Sequence, residues 1–258
     1  MPASGAGTLS GVFRVGGDAY DDFMGRYSVR LAPLFADFAG VGEGMRVLDV
    51  GAGTGALTGE LLRRGADVVA AEPSPEFGAV LRGRHAQLEV HEAPAESLPF
   101  ADGSFDAALA QLVVAFMADA PAAMQELARV ARGVAVCMWG VQEMEMFAAI
   151  DRTARAVGVR REAEHGARRY RTQAELVELL APLGDVETGE LDVEAEYRGF
   201  DDFWHALSGQ VGPAGAWLAQ LDDEQRARAH ETLHAELGAP DGPFRLRGRA
   251  FAAKVTRG

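Results

Sequence analysis

Apolar runs and polar breaks alternate along this chain. Short runs of Val, Leu and Ala are separated by longer stretches in which apolar residues recur every three or four positions. The first pattern is typical of strands buried on both faces, and the second of amphipathic helices. The predicted strands are 47–50, 68–72, 88–91, 105–114, 134–139, 186–193 and 249–255. The alternation of the first five with helices predicts an α/β fold with a doubly wound parallel sheet.

A glycine-rich turn follows the first predicted strand. Gly51, Gly53 and Gly55 stand at alternate positions after Asp49, and a helical stripe begins at Leu57. Residues without a Cβ atom permit φ > 0 and let a ligand lie directly on the backbone. A strand, a glycine turn and a helix N-terminus together form a nucleotide-type pocket at the carboxyl edge of a parallel sheet. The spacing G-x-G-x-x-A, which this turn also satisfies, leaves a dinucleotide site as one interpretation.

The second predicted strand ends in an acid. Glu72 lies about twenty residues beyond the glycines, where a carboxylate can accept hydrogen bonds from ribose hydroxyls. Ser74 and Pro75 then favour the start of a helix. These residues predict a ribose-bearing cofactor in the same pocket.

Three segments resemble a known family. Residues 46–58 resemble the first motif of the class I S-adenosylmethionine-dependent methyltransferases, in which an acid precedes G-x-G-x-G. Residues 21–28, which contain Met-Gly-Arg-Tyr-Ser, are similar to the leading segment of a small-molecule, type 11-like group. Residues 92–100 resemble the family's adenine-side loop, although Pro94 replaces the usual acid, and Ala115 replaces a His that this group often carries. The resemblance implies a Rossmann-like seven-stranded sheet with a final antiparallel hairpin, and S-adenosylmethionine as the cofactor.

The resemblance also implies two sets of site residues. The cofactor set is Tyr20, Arg26, Tyr27, Gly51, Ala52, Gly53, Glu72, Pro73, Ala95, Glu96, Gln111 and Leu112. In this set Glu96 would accept a hydrogen bond from the exocyclic amine of adenine. The Gln111 side chain would point into the cofactor site. The substrate set is Phe23, Trp139, Met146, Phe147, Tyr170 and Trp204, although each of these also suits core packing. Such an apolar lining favours a small hydrophobic or aromatic acceptor.

The domain organisation follows from the same patterns. Residues 1–17, rich in Gly, Ala and Ser, are expected to form a loose tail. The remaining residues, 18–258, are expected to form a single domain. A helix at 18–40 would act as a lid, and insertions at about 141–171 and 196–244 would cover the acceptor site.

No residue is assigned as catalytic. The methyl group of a sulfonium is already electrophilic, so that positioning and desolvation are sufficient. His165 or Tyr170, in the first insertion, is a hypothetical base. His230 and His234 are four residues apart in a polar helix with no third ligand nearby in sequence, and we therefore expect no metal site.

The composition limits the kinds of partner that the protein is expected to bind. The 258 residues carry a formal net charge of -13, which repels phosphate backbones and argues against nucleic acid or an anionic membrane. The single cysteine, Cys137, lies in an apolar run and is expected in the core. With no run long enough to span a membrane and no signal-peptide pattern, we expect a cytoplasmic monomer or homodimer.

These observations favour a methyltransferase that transfers a methyl group to O, N or C of a small metabolite in secondary metabolism. Three alternatives stay open. One is a protein of natural-product biosynthesis that keeps the cofactor without transferring its methyl group. Another is a nicotinamide-dependent oxidoreductase, which predicts a six-stranded parallel sheet. The last is an enzyme that modifies protein or RNA, and the acidic balance argues against RNA.

Overall fold

The computed structural model describes residues 17–159, 169–209 and 211–256. In these residues seven strands form one sheet, in the order β3-β2-β1-β4-β5-β7-β6. The strands are β1 (Arg46–Val50), β2 (Asp67–Ala71), β3 (Glu89–His91), β4 (Phe105–Gln111), β5 (Ala131–Trp139), β6 (Glu187–Tyr197) and β7 (Phe244–Thr256). The α-helices are α1 (Gly17–Tyr20), α2 (Arg26–Ala39), α3 (Ala56–Arg63), α4 (Pro75–Arg84), α5 (Ala120–Val130), α6 (Glu145–Val157), α7 (Gln173–Leu180), α8 (Phe200–Ser208), α9 (Gly212–Ala219) and α10 (Asp223–Glu236).

The sheet has one antiparallel strand among parallel ones. Strands β1 to β5 pair in parallel, whereas β7 is antiparallel to both of its neighbours, β5 and β6. The predicted doubly wound sheet with a final antiparallel hairpin is therefore confirmed. The six-stranded parallel sheet required by the oxidoreductase alternative is contradicted by the insertion of β7, and we do not consider that alternative further.

Helices cover both faces of the sheet. Successive side chains of β1, β4 and β5 point to opposite faces, so that each strand contributes to two separate clusters. One cluster joins Val47 and Leu109 to apolar side chains of α2, α3, α6 and α8–α10. The other joins Leu48 and Ala108 to those of α5 and α7. Because both faces are buried, these strands have the continuous apolar sequences from which they were predicted.

Four strands differ from the prediction by three residues or more, among them β5, which begins at Ala131 and not at residue 134. Strand β4 ends at Gln111, because Leu112 adopts φ 62° and its N–H donates to the Cys137 carbonyl oxygen at 2.8 Å. Strands β6 and β7 are longer than predicted, extending to Tyr197 and back to Phe244. In this added region acidic residues of β6 face arginines of β7, so that exposed charges alternate with buried side chains on a true strand.

The predicted lid helix at 18–40 is interrupted. A π-helical turn, Asp21–Gly25, separates α1 from α2. Gly25 allows this crowded turn, because a Cβ atom at this position would lie 3.0 Å from the Asp21 Oδ1 atom. The interruption changes which side chains of the segment face the same direction.

The two predicted insertions supply a helical layer. Helix α10 packs against α6, and α8 contacts the π-helical turn. Their role as covers of an acceptor site stays a prediction. The tail residues 1–16 and His165 lie outside the described residues.

Candidate active site

A cavity of about 520 Å³ opens at the carboxyl edge of the sheet. Its walls are formed by the lid segment, the glycine turn, the ends of β2 and β4 and the start of α4. Eight of the residues predicted to hold the cofactor line it: Tyr20, Gly51, Ala52, Gly53, Glu72, Pro73, Gln111 and Leu112. Its position beside the first strand of a doubly wound sheet is where such folds bind ligands.

The glycine turn leaves its backbone open to the cavity. Gly51, Gly53 and Gly55 adopt φ values of 68°, 57° and 94°, which disfavour other residues. A Cβ atom on Gly51 would lie 2.5 Å from a methyl carbon of Val113. A Cβ atom on Gly53 would meet only the Gly51 carbonyl oxygen, at 4.0 Å. The space above Gly53 is therefore free for a ligand.

Glu72 is held against this turn. Its Oε2 atom accepts a hydrogen bond from the Gly53 N–H, and its Oε1 atom accepts one from the Ser74 N–H, both at 2.8 Å. Burial raises the pKa of Glu72, and the two backbone donors partly oppose that shift. Each carboxylate oxygen keeps a further lone pair, so that the side chain can accept two more hydrogen bonds.

Asp49 is a second buried acid of the cavity. Its side chain is almost fully enclosed, and its Oδ2 atom accepts a hydrogen bond from the Thr58 hydroxyl at 2.6 Å. Burial raises the pKa of Asp49 to about 7, with the negative charge of Glu72 as a further cause. A cationic ligand in the cavity would favour the ionised form.

Gln111 presents a hydrogen-bond acceptor without a partner. Its Nε2 atom donates to the Ser28 carbonyl oxygen at 3.2 Å, while its buried Oε1 atom has no partner among the described residues. A buried acceptor of this kind costs free energy unless a bound group satisfies it. The free oxygen and the open glycine turn both fit a ligand that carries polar hydrogens.

A residue of the lid segment and a residue of α4 meet at one side of the cavity. The Tyr20 ring meets the Phe77 ring edge-on, with centroids 6.1 Å apart, and both rings line the cavity. The Tyr20 hydroxyl lies 3.3 Å from the Ser28 Oγ atom, and burial raises the pKa of Tyr20. Phe77 was not predicted to line the cavity, and the helix start predicted at Ser74-Pro75, directly after Glu72, is the signal that could have placed it there.

Four residues of the predicted cofactor set lie away from the cavity lining. Arg26 forms two hydrogen bonds with the Asp202 carboxylate, at 2.7 and 2.9 Å. Tyr27 is fully buried and packs edge-on against Trp139, with ring centroids 5.9 Å apart. Ala95 is buried in the cluster that includes α5, and Glu96 accepts a hydrogen bond from the Asp119 N–H at 3.0 Å. Each of these side chains has a structural partner, which a motif comparison does not reveal.

The predicted substrate residues do not come together around the cavity. Phe23, Trp139 and Met146 are buried in the cluster that contains α2, where Phe147 and Trp204 pack as partly exposed members. Tyr170 lies in the cluster on the other face of the sheet, with φ 65°. These residues do not line the cavity. Their apolar character in the sequence did not distinguish core residues from residues that bind a ligand.

The two histidines of α10 belong to an aromatic cluster. The His230 and His234 rings lie 4.9 and 4.7 Å from the Phe200 ring, measured between centroids. Among the described residues no group of three or more His, Cys, Asp or Glu side chains is arranged to hold a metal ion. Within the same residues no helix is both long and apolar enough to cross a bilayer.

An open sheet with an inserted antiparallel strand and a glycine-turn cavity defines a class I methyltransferase fold. Residues 48–138, which contain the turn, Glu72 and Gln111, match the family model described as "Methyltransferase domain". This match supports the class I methyltransferase family that the motifs predicted, and S-adenosylmethionine is the cofactor of that family.

Individual proteins are similar to part of this chain. The chain is 46% identical over 87 residues to an uncharacterized methyltransferase of Mycobacterium tuberculosis, covering 34% of this chain and 35% of that protein. It is 41% identical over 106 residues to an uncharacterized protein of the same species, covering 40% of this chain. The chain spans well under half the length of these curated relatives, since it covers 39% of the second one.

A solved structure shares the whole fold. The structure of a protein called a putative type II methyltransferase, from Anaeromyxobacter dehalogenans, superimposes with a TM-score of 0.65 at 22% identity. That likeness covers 87% of this chain and 95% of the other. At this level of identity the likeness shows the fold alone.

Proposed function

We propose that this protein transfers a methyl group from S-adenosylmethionine to a small molecule. The observation that carries the proposal is the open backbone at Gly53, beside a Glu72 carboxylate fixed by the same turn. An open turn gives room for the amino acid end of the cofactor. The fixed carboxylate supplies acceptors for a ribose diol at the neighbouring position.

Other residues that line the cavity would contact different parts of the bound molecules. Tyr20 and Phe77 would enclose the cofactor between the lid and α4. Gln111, through its free oxygen, would accept a hydrogen from the cofactor or from the acceptor. When bound, S-adenosylmethionine supplies a methyl carbon that its sulfonium makes electrophilic.

The ionisable side chains in the cavity indicate how the protein contributes to catalysis. In the described part of the chain they are Tyr20, Asp49, Glu72 and Glu76, with no His, Lys or Cys among the lining residues. Burial of Tyr20 and Asp49 favours their neutral forms. We therefore assign the protein's contribution to positioning the acceptor and excluding water, and not to a dedicated base.

The apolar part of the cavity lining indicates the acceptor class. Leu112, Val113 and Phe116 form an apolar surface after β4, next to the polar end of Gln111. Such a wall suits a small hydrophobic or aromatic acceptor with one polar group. The net charge of -13 disfavours an RNA acceptor. A cytoplasmic monomer or homodimer remains our expectation for the protein.

The experiment is a screen with trideuteromethyl-labelled S-adenosylmethionine against phenols, amines and enolisable carbonyl compounds. Transfer of the label, read as a mass gain of one trideuteromethyl group in the acceptor, supports the proposal. The variant Gly53→Val, which fills the open turn, is the control that should abolish transfer. Conversion of a compound without gain of the label would favour the non-methylating alternative, and absence of cofactor binding would contradict both.

A further inference from the structure

The lid is tied to the glycine turn by a side chain that the motifs did not single out. Asp21, the first residue of the π-helical turn, accepts a hydrogen bond from the Thr54 hydroxyl through its Oδ1 atom at 2.7 Å. Thr54 stands between Gly53 and Gly55 in the turn that lines the cavity. Asp21 therefore connects the segment that carries Tyr20 directly to the predicted cofactor cradle.

A second contact reinforces the first. The Arg84 guanidinium, at the end of α4, forms an ion pair with the Asp21 Oδ2 atom. The same guanidinium donates to the Thr54 carbonyl oxygen at 2.9 Å. Asp21, Thr54 and Arg84 thus form a closed set of contacts, which we call the latch, among the lid, the turn and α4.

The local backbone suits this arrangement. Gly25 leaves the Asp21 carboxylate free, since a Cβ atom there would lie 3.0 Å from Oδ1 and 3.2 Å from the Asp21 Cβ atom. Tyr20, next to Asp21, lines the cavity and meets Phe77 of α4. Holding Asp21 in place therefore holds the Tyr20 ring over the cavity.

We propose that Asp21 is a positioning residue whose latch controls the exchange of the cofactor by keeping the lid closed. The proposal rests on the proposed function, because it assigns the cavity to S-adenosylmethionine. Every contact of the latch joins protein atoms. The latch therefore holds the lid closed by itself, and the cofactor must enter and leave through an open state.

This gating predicts a particular kinetic result. Loss of the latch should raise both the association and the dissociation rate by about five- to tenfold, the usual effect of one hydrogen bond plus a partly exposed ion pair. The dissociation constant should change by less than about threefold, because both rates change in the same direction. A residue that merely supported the fold would lower affinity and stability together.

The test compares Asp21→Ala with Asp22→Ala on the immobilised full chain, using surface plasmon resonance with S-adenosylmethionine. Asp22 is the matched control, since it is a neighbouring, exposed acid on the same turn. Arg84→Gln should accelerate exchange as Asp21→Ala does. The double variant should fall short of the product of the two single effects, because both act on the same contacts. Thermal unfolding of each variant without ligand identifies any general loss of structure.

Salt provides an independent measurement. The Asp21–Arg84 pair is partly exposed, with 30% and 40% of the side chains accessible, so that added salt should speed exchange in the wild type and have little effect in Asp21→Ala. If the wild type binds and Asp21→Ala exchanges no faster than Asp22→Ala, the latch is wrong and the proposed function stands. If the folded wild type binds no S-adenosylmethionine, the proposed function fails and the latch proposal fails with it.

Discussion

Two glycines of one turn differ in what surrounds them. Gly51 faces the packed side chain of Val113, whereas Gly53 faces the open cavity. Both adopt φ values near 60°, which disfavour any other residue. A methyl group at Gly51 would therefore meet protein atoms as well as strained backbone, while one at Gly53 would intrude on the ligand's space.

Replacing each glycine by alanine should separate these effects. Gly53→Ala should lower the free energy of unfolding by about 1 kcal/mol, the cost of the backbone conformation, and weaken cofactor binding at least tenfold. Gly51→Ala should be more destabilising, by about 3 kcal/mol, because Val113 must also move. Chemical denaturation and calorimetric titration measure the two quantities. Equal loss of stability in the two variants would contradict the geometry.

Asp49 gives a pH dependence whose sign follows from its burial. Its pKa is about 7 in the folded protein and 3.8 when unperturbed. Between these values the folded state binds more protons than the unfolded state, so that stability falls as pH rises from about 4 to 7. Asp49→Asn, which resembles the protonated acid, should remove this loss.

The expected result is a variant that matches the wild type near pH 4 and is more stable at pH 8, by up to about 4 kcal/mol. Urea unfolding of the ligand-free protein across this range measures the difference. A stability difference that stays constant with pH would show that Asp49 does not titrate as its burial predicts.

At the scale of elements, an ion pair lies at each end of the π-helical turn of the lid segment. Asp21 joins this segment to the glycine turn and α4, while Arg26 joins the start of α2 to Asp202 of α8. The Arg26–Asp202 contact is well buried, with 20% and 8% of the side chains exposed. Arg26 holds the pKa of Asp202 well below its usual range. This second contact lies outside the cavity lining.

Arg26→Ala should consequently affect folding more than binding. We expect a loss of about 2 kcal/mol in the free energy of unfolding, because the enclosed Asp202 carboxylate loses two hydrogen bonds from Arg26 and keeps only the exposed Arg198 as its cation. Cofactor affinity, measured by calorimetry, should change by less than about threefold. Arg30→Ala, an exposed arginine on the same helix, is the control and should have little effect on either quantity. A large loss of affinity with unchanged stability would restore Arg26 to the cofactor site.

The break in the lid was beyond what periodicity could predict. Tyr20 and Tyr27 both fit one helical stripe, yet the π-helical turn sends Tyr20 to the cavity and Tyr27 to the core. The two positions differ in local hydrogen bonding that depends on Thr54 and Arg84, which are distant in sequence. Long-range partners of this kind leave no trace in spacing.

At the scale of the whole molecule, the parallel strands and the closing hairpin were predictable, whereas the full length of the edge strand β6 was not. Strands β1, β2, β4 and β5 are buried on both faces and read as apolar runs. Strand β6 is an edge strand with acids on one face, and Asp192 and Glu190 pair with Arg249 of β7 at 2.6 and 2.5 Å. Charged edges protect a sheet from further pairing, and in sequence they resemble a loop.

The residues of the candidate site also differed in how well the sequence predicted them. The glycine turn, Glu72 and Gln111 were predictable because each is fixed by its position at the end of a strand. The aromatic residues proposed for the acceptor site lie in or against the core clusters. Their apolar character was equally compatible with core packing and with an acceptor site. Site residues at strand ends were therefore easier to predict than site residues whose position depends on side-chain packing.

The central claim is that S-adenosylmethionine lies on the glycine turn with its ribose bound by Glu72. Calorimetric titration of the wild type and of Glu72→Gln with S-adenosylmethionine, and with NAD as a control ligand, tests it most directly. The account predicts binding of one S-adenosylmethionine per chain, no binding of NAD, and an affinity at least tenfold weaker in Glu72→Gln, which loses one charged acceptor. Equal affinity of the two folded proteins, or no binding by the wild type, would contradict it.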